Sequence, residues 1–250
     1  MKVCIYSPKG GSGTTTCAAL VAKTLSISSP TIFIDACNGD SQILLNIEEI
    51  KFGFGDWLNS PEKSIESFKK ISLNLTKNLN YVGPSIGNLI SDTTDSQRNE
   101  MLSPLFSDET NMVFDCGLCK GQLQLDIANS CDLVIAVIRK CFLGLSAFIN
   151  HDLKNLTDSI IVVSESGRSI STKQIADSSG VKQLIEIEAR RDYANLIDAG
   201  VLVDKSPQEI LKLFSNYFLD MERNSYQEFW DEPVNETDRY FAYIKSKLSI

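Results

Sequence analysis

The stretch that most restricts this chain is Ser7-Pro8-Lys9-Gly10-Gly11-Ser12-Gly13-Thr14-Thr15-Thr16. It follows an apolar run at residues 2–7 that reads as a strand. It opens a helix-spaced run over Thr14–Leu25, with Ala18, Ala19, Val21 and Ala22 on its packing side. Gly10, Gly11 and Gly13 let the main chain turn tightly and aim its N–H groups into one concavity. A helix starting at Thr14 adds its own unpaired N–H groups and the positive end of its dipole. The expectation is an anion cradle made from backbone. The alternative is a glycine-rich turn that holds nothing.

The rest of the chain repeats the alternation of strand and helix. Pro30 introduces Thr31–Asp35, a β-branched and aromatic run. Residues 80–83, Asn111–Asp115, 133–138 and 160–163 are further short apolar runs, and 184–187 is a weaker seventh. Segments with helical spacing lie between them, among them 97–105, 143–156 and 171–177. Strands without polar alternation, separated by helices, predict an α/β fold: a mostly parallel sheet with helices on both faces. Ligands of such sheets sit at the carboxyl ends of the strands. The division expected is a domain over residues 1–204 and a helical C-terminal extension, 205–250, packed on it. That extension holds an aromatic, mixed-charge stretch at 217–230, a turn at 231–233 and a last helix at 236–248.

Composition removes several classes of function. No stretch approaches the roughly 18 consecutive apolar residues of a membrane span. The opening Met1-Lys2-Val3-Cys4-Ile5-Tyr6 lacks the pattern of a signal peptide, so a cytoplasmic location is expected. Seven cysteines, an odd count scattered through apolar segments, read as reduced thiols. The net charge of −8 speaks against DNA as a partner. His151, the one histidine, rules out chemistry that needs a histidine pair.

At the glycine-rich loop the sequence resembles the ParA/MinD branch of P-loop proteins, whose deviant loop reads Lys-Gly-Gly-x-Gly-Lys-Thr-Thr. Lys9, Gly10, Gly11, Ser12, Gly13, Thr14, Thr15 and Thr16 occupy those eight positions, and all but Thr14 fit. The resemblance implies ATP or ADP and Mg2+ as cofactors, bound by Lys9 through Thr16. Lys9 falls on the signature lysine that reaches across a dimer interface to the other subunit's phosphates. Thr14 falls on the ordinary P-loop lysine, which is absent. The same loss marks the TadZ/CpaE group, which places and assembles pilus machinery, and this chain looks most like that group.

Other positions extend the resemblance. Asp35 matches the first acid of the family's Asp-x-Asp, and Cys37 stands at the second, where the family orients the attacking water; Asp40 lies nearby. A thiol is a poor substitute for a carboxylate in that role. Met112-Val113-Phe114-Asp115 is a Walker B pattern. Thr15, Asp35 and Asp115 are therefore the implied magnesium-binding residues, and Asp35 and Lys9 the catalytic ones. Asp35 also reads as a strand-ending acid that caps the next loop. Ser164 stands where the family has an adenine-binding Asn. Cys116-Gly117-Leu118-Cys119 is a C-x-x-C that reads either as two core thiols or as half of a metal or redox site.

Loss of the lysine and of the second acid each slows phosphoryl transfer, which depends on positioning and charge neutralisation. The expected function is an ATP-dependent positioning or assembly switch with slow or absent hydrolysis. It would work as a nucleotide-dependent homodimer with secretion or pilus assembly proteins as partners. A pseudo-ATPase scaffold that binds only proteins competes with it, and a DNA partition ATPase is the third class. In the tail, Tyr240, Tyr243, Ile244 and Leu248 share one helical face. That stripe either faces the core or makes a peripheral contact at the inner face of a membrane.

Overall fold

The computed structural model describes residues 1–37, 40–84 and 95–229, with the side chains among them except those of 95, 97 and 222–229. Strand β1, Lys2–Tyr6, leads through the glycine-rich loop into helix α1, Thr14–Leu25. β2, Thr31–Asp35, follows, then three short helices: α2, Ser41–Leu44; α3, Phe54–Asn59; and α4, Ile65–Ile71. β3, Leu73–Thr76, and β4, Leu79–Val82, form a hairpin. Beyond it come α5, Asp95–Phe106; β5, Asn111–Asp115; α6, Gln122–Ser130; and β6, Leu133–Arg139. The remainder is α7, Phe142–Ile149; β7, Ser159–Ser164; α8, Thr172–Ser179; β8, Gln183–Glu188; α9, Arg191–Asp198; and α10, Gln208–Phe229.

These strands make one eight-stranded sheet in the order β3-β4-β2-β5-β1-β6-β7-β8. Every pairing is parallel except that of β3 with β4. Because side chains alternate along a strand, β1 sends Cys4 and Tyr6 into one core and Val3 and Ile5 into the other. The first core holds Phe54, Trp57 and Phe68 from α3 and α4, with Leu123 and Ile127 from α6. The second holds Ala18, Leu20, Val21 and Ala22 of α1 with Ile210, Phe214 and Phe218 of α10. The first half of α10 is thus built into the core. The predicted turn at 231–233 and last helix at 236–248 lie outside the described residues.

Two expectations need correction, and three short helices were not read at all. The helix read across 143–156 is two pieces. His151 takes an extended backbone conformation and its Nδ1 accepts the Leu153 N–H at 3.2 Å, starting a separate 3-10 turn at Asp152–Leu156. β3 adds an eighth strand where seven were read. Its sequence Leu-Asn-Leu-Thr is half-exposed at the sheet edge, so no apolar run marks it. The short helices α2 to α4 span too few residues for a helical period to show. α4 is fixed by its start, where Ser64 Oγ accepts the Ser67 N–H and Ser67 Oγ accepts the Ser64 N–H, each at 3.1 Å.

β1 sits in mid-sheet. The chain leaves it toward β2 on one side and later builds β6, β7 and β8 on the other, so a crevice opens at its carboxyl end. The glycine-rich loop lies there, and the ends of β2 and β5 stand beside it.

Candidate functional site

The loop after β1 is bent, with Gly11 at φ 75° and Gly13 at φ 88°, both in the left-handed region that glycine tolerates. A side chain built on either would meet nothing within 4 Å, so the space beside the loop is open. Two loop carbonyls are occupied by the protein's own donors. The Lys9 carbonyl accepts Ser7 Oγ at 2.6 Å and Ser12 Oγ at 2.8 Å, and the Gly11 carbonyl accepts Arg139 Nε at 2.8 Å. Among the described residues, the N–H groups of 10 through 16 reach no protein acceptor; the first return bond is Cys17 N–H to the Gly13 carbonyl at 2.9 Å. Carbonyls engaged and N–H groups left over make a nest for an anion at a helix start.

Two carboxylates stand beside this nest. Asp35 and Asp115 end β2 and β5 and face each other in the parallel register, and Ile5 of β1 pairs with Asp115 on its other side. Asp115 is 0% exposed. Its Oδ1 accepts the Gly117 N–H at 3.1 Å, whereas Oδ2 is buried with no hydrogen-bond partner. Burial, with the Asp35 charge adding to it, pushes the Asp115 carboxyl up to about 6, although the Thr15 hydroxyl, the Gly117 N–H and the Cys37 thiol pull the other way. Asp35 is better provided for. It accepts from Ser41 Oγ and from the Cys37 N–H at 3.1 Å. Ser41 spends its one proton on Asp35, so Tyr81 donates to Ser41 Oγ at 2.7 Å.

Cys37 stands between these carboxylates, with its thiol 3.5 Å from Asp35 Oδ1. Gly117 packs on it: at φ 54°, a Cβ there would lie 2.8 Å from Cys37 Cβ. The segment after β5 is tied to the loop by the Ser7 N–H, which donates to the Gly117 carbonyl at 2.7 Å. Cys116 and Cys119 belong to the first core. The Cys116 thiol is pushed well above the ordinary range by hydrogen bonds to Cys119 and Cys4 and by burial, which makes it a poor metal ligand or nucleophile. Among the described residues no group of three or more His, Cys, Asp or Glu side chains could hold a metal by itself.

The site residues read from sequence thus converge at one end of the sheet, with the Thr15 hydroxyl near enough to Asp115 to act on its carboxyl and Asp35 paired with Asp115 across the strands. Lys9 is exposed and Thr14 is buried. Ser164 is buried at the end of β7, its Oγ donating to the Ile187 carbonyl at 3.4 Å. The donor set fits a magnesium–polyphosphate pair. Hard oxygen ligands suit Mg2+, an orphaned buried carboxylate oxygen needs a cation or a proton, and the nest supplies phosphate donors. Sequence reasoning missed Ser41, Tyr81 and Arg139. Arg139 did carry a signal: Arg139-Lys140 is a basic pair where an apolar strand ends in this crevice.

With the sheet order and the loop in place, the class follows: this is the α/β fold of the ParA/MinD P-loop ATPases. The chain is similar to a ParA family ATPase of Chlorobium tepidum at TM-score 0.71, with 16% identity over 87% of this chain and 98% of that one. It is similar to a chain of the MinC:MinD cell division protein complex of Aquifex aeolicus at TM-score 0.69, with 15% identity over 94% and 98%. MinD of Pyrococcus horikoshii, solved with Mg-ADP, matches at TM-score 0.65, with 16% identity over 85% and 93%. No protein-family model and no curated protein matches the sequence. Identities this low carry the fold alone. Among the described residues no helix is long and apolar enough to cross a membrane.

Proposed function

We propose that the chain is a magnesium- and nucleotide-binding switch of the ParA/MinD kind, with slow or absent hydrolysis. The observation that carries this is Asp115: a carboxylate oxygen buried without a partner, beside Thr15 and under a loop of unclaimed N–H groups. Such an oxygen is costly unless the protein gains something there, and a cation's water shell supplies the missing donors. Thr15 and Asp115 would hold the magnesium side, with Asp35 at the outer edge. Residues 10–16 would hold the phosphates. The magnesium ion neutralises phosphate charge when bound. Hydrolysis is slow in this reading because Cys37 offers no carboxylate to orient water and Thr14 no cation. Titration with ATP and with ADP, magnesium present, followed by calorimetry and sedimentation, tests it. Absence of heat with both nucleotides would sink the reading.

Exposed Lys9 beside the nest supports a homodimer that forms with nucleotide, each Lys9 touching the other chain's phosphates. The missing lysine supports a place near the TadZ/CpaE pilus assembly group, with secretion or pilus proteins as partners. The MinC:MinD complex among the similar structures is a precedent for a protein partner on this fold. Membrane contact through residues 236–248 rests on the sequence stripe, outside the described residues. A non-hydrolysing scaffold that binds only proteins is the second reading. The Asp35 carboxylate favours it, being engaged by the protein's own Ser41 hydroxyl and Cys37 N–H.

A further inference from the structure

The nest lacks a cation where the helix starts, yet an arginine stands at its rim. β6 continues past Ala136, the partner of Tyr6, as far as Arg139 and so rises to the level of the loop. Arg139 Nε donates to the Gly11 carbonyl at 2.8 Å, a contact between residues 128 apart in sequence. Its Nη1 pairs with Glu165, which Arg168 Nε also holds at 3.0 Å from the far side. Among the described residues, Arg139 Nη2 makes no hydrogen bond. The backbone is fixed as well. The Arg139 carbonyl accepts the Cys141 N–H at 2.7 Å, and Gly144 of α7 sits so close that a Cβ there would come 2.5 Å from that carbonyl oxygen. The arginine is therefore held from both ends.

The contact has a consequence for the loop. In a trans peptide the carbonyl and the following N–H point opposite ways. With the Gly11 carbonyl drawn onto Arg139, the Ser12 N–H points away from it, and no protein acceptor takes that N–H. The left-handed Gly11 lets the peptide turn this way without strain. A carbonyl swung the other way would set a negative dipole against a phosphate.

We propose that Arg139 is the positioning residue of the phosphate loop: it locks the Gly11–Ser12 peptide with its N–H presented to the anion and sets a positive charge at the rim of a loop that lacks its lysine. This rests on the nucleotide reading above. The test is calorimetric titration of magnesium-ATP into wild type, Arg139→Ala and Arg139→Lys, with thermal unfolding of each protein alone. Loss of a charge-assisted bond predicts affinity weaker by at least about tenfold for Arg139→Ala. Arg139→Lys keeps the charge but not the fork and should lose about two- to fivefold. Both should melt within about 2 °C of wild type, since the side chain is nearly half exposed. Wild-type affinity in Arg139→Ala overturns the role of Arg139 and leaves the nucleotide reading standing. A wild type that binds no nucleotide overturns both. If Arg139→Ala does not fold, wild-type affinity in Arg139→Lys overturns the anchor.

Discussion

Replacing Asp115 by asparagine should stabilise the ligand-free protein while removing its response to magnesium and nucleotide. The Asp115 carboxyl titrates at about 6 in the fold, against an ordinary 3.8. The folded value is the higher one, so the native state binds the extra proton between the two. This group's contribution is full below pH 3.8 and is lost as the pH rises through about 6. At pH 8 the ionised carboxylate costs the ligand-free fold about 3 kcal/mol, and at pH 5 about half of that. Asparagine never ionises. Its amide N–H needs an acceptor that the pocket only partly supplies, which returns some of the gain. The expected stabilisation is about 1–3 kcal/mol at pH 8, or roughly 2–10 °C in melting temperature. The gap should narrow at pH 5. Urea unfolding of both proteins at the two pH values, with and without magnesium-ATP, measures it. Magnesium-ATP should raise wild-type stability and leave Asp115→Asn unchanged. A variant less stable than wild type at pH 8 without ligand, or a gap that ignores pH, would refute the claim that Asp115 is held at a cost for a cation.

Other expectations follow from the same site. Gly117→Ala should destabilise by about 2 kcal/mol in urea unfolding, because its Cβ at positive φ would crowd Cys37. Lys9→Ala should abolish ATP-dependent dimerisation in sedimentation without lowering the melting temperature, since the side chain is exposed. Thr14→Lys together with Cys37→Asp should raise ATP turnover by at least about tenfold, with both missing groups restored. Phe214→Ala should cost about 3–5 kcal/mol, as that ring lies fully buried between α10 and the α1 face of the sheet.

Much of the architecture was legible in the residues themselves. The bounds of α1, β2 and β5 came directly from apolar runs and their periods, because both strands are buried on both faces and α1 follows the turn that starts it. The bent loop was legible too: Gly10, Gly11 and Gly13 permit what other residues resist, and φ is a local property. Edge strand β3 and the helices α2 to α4 were not, since a half-exposed strand and helices of one to two turns leave no period to read.

The tertiary structure alone decided what surrounds the carboxylates and the loop. That Asp115 Oδ2 is orphaned, that Ser41 and Tyr81 serve Asp35, and that Arg139 grips Gly11 depend on which strands lie side by side. The sequence determined a turn able to hold an anion and strands ending in acids. Strand order then brought residues 35, 115 and 139 to one crevice. Local backbone preferences extend over a few residues, whereas charge, burial and hydrogen bonding act across whatever the fold makes adjacent.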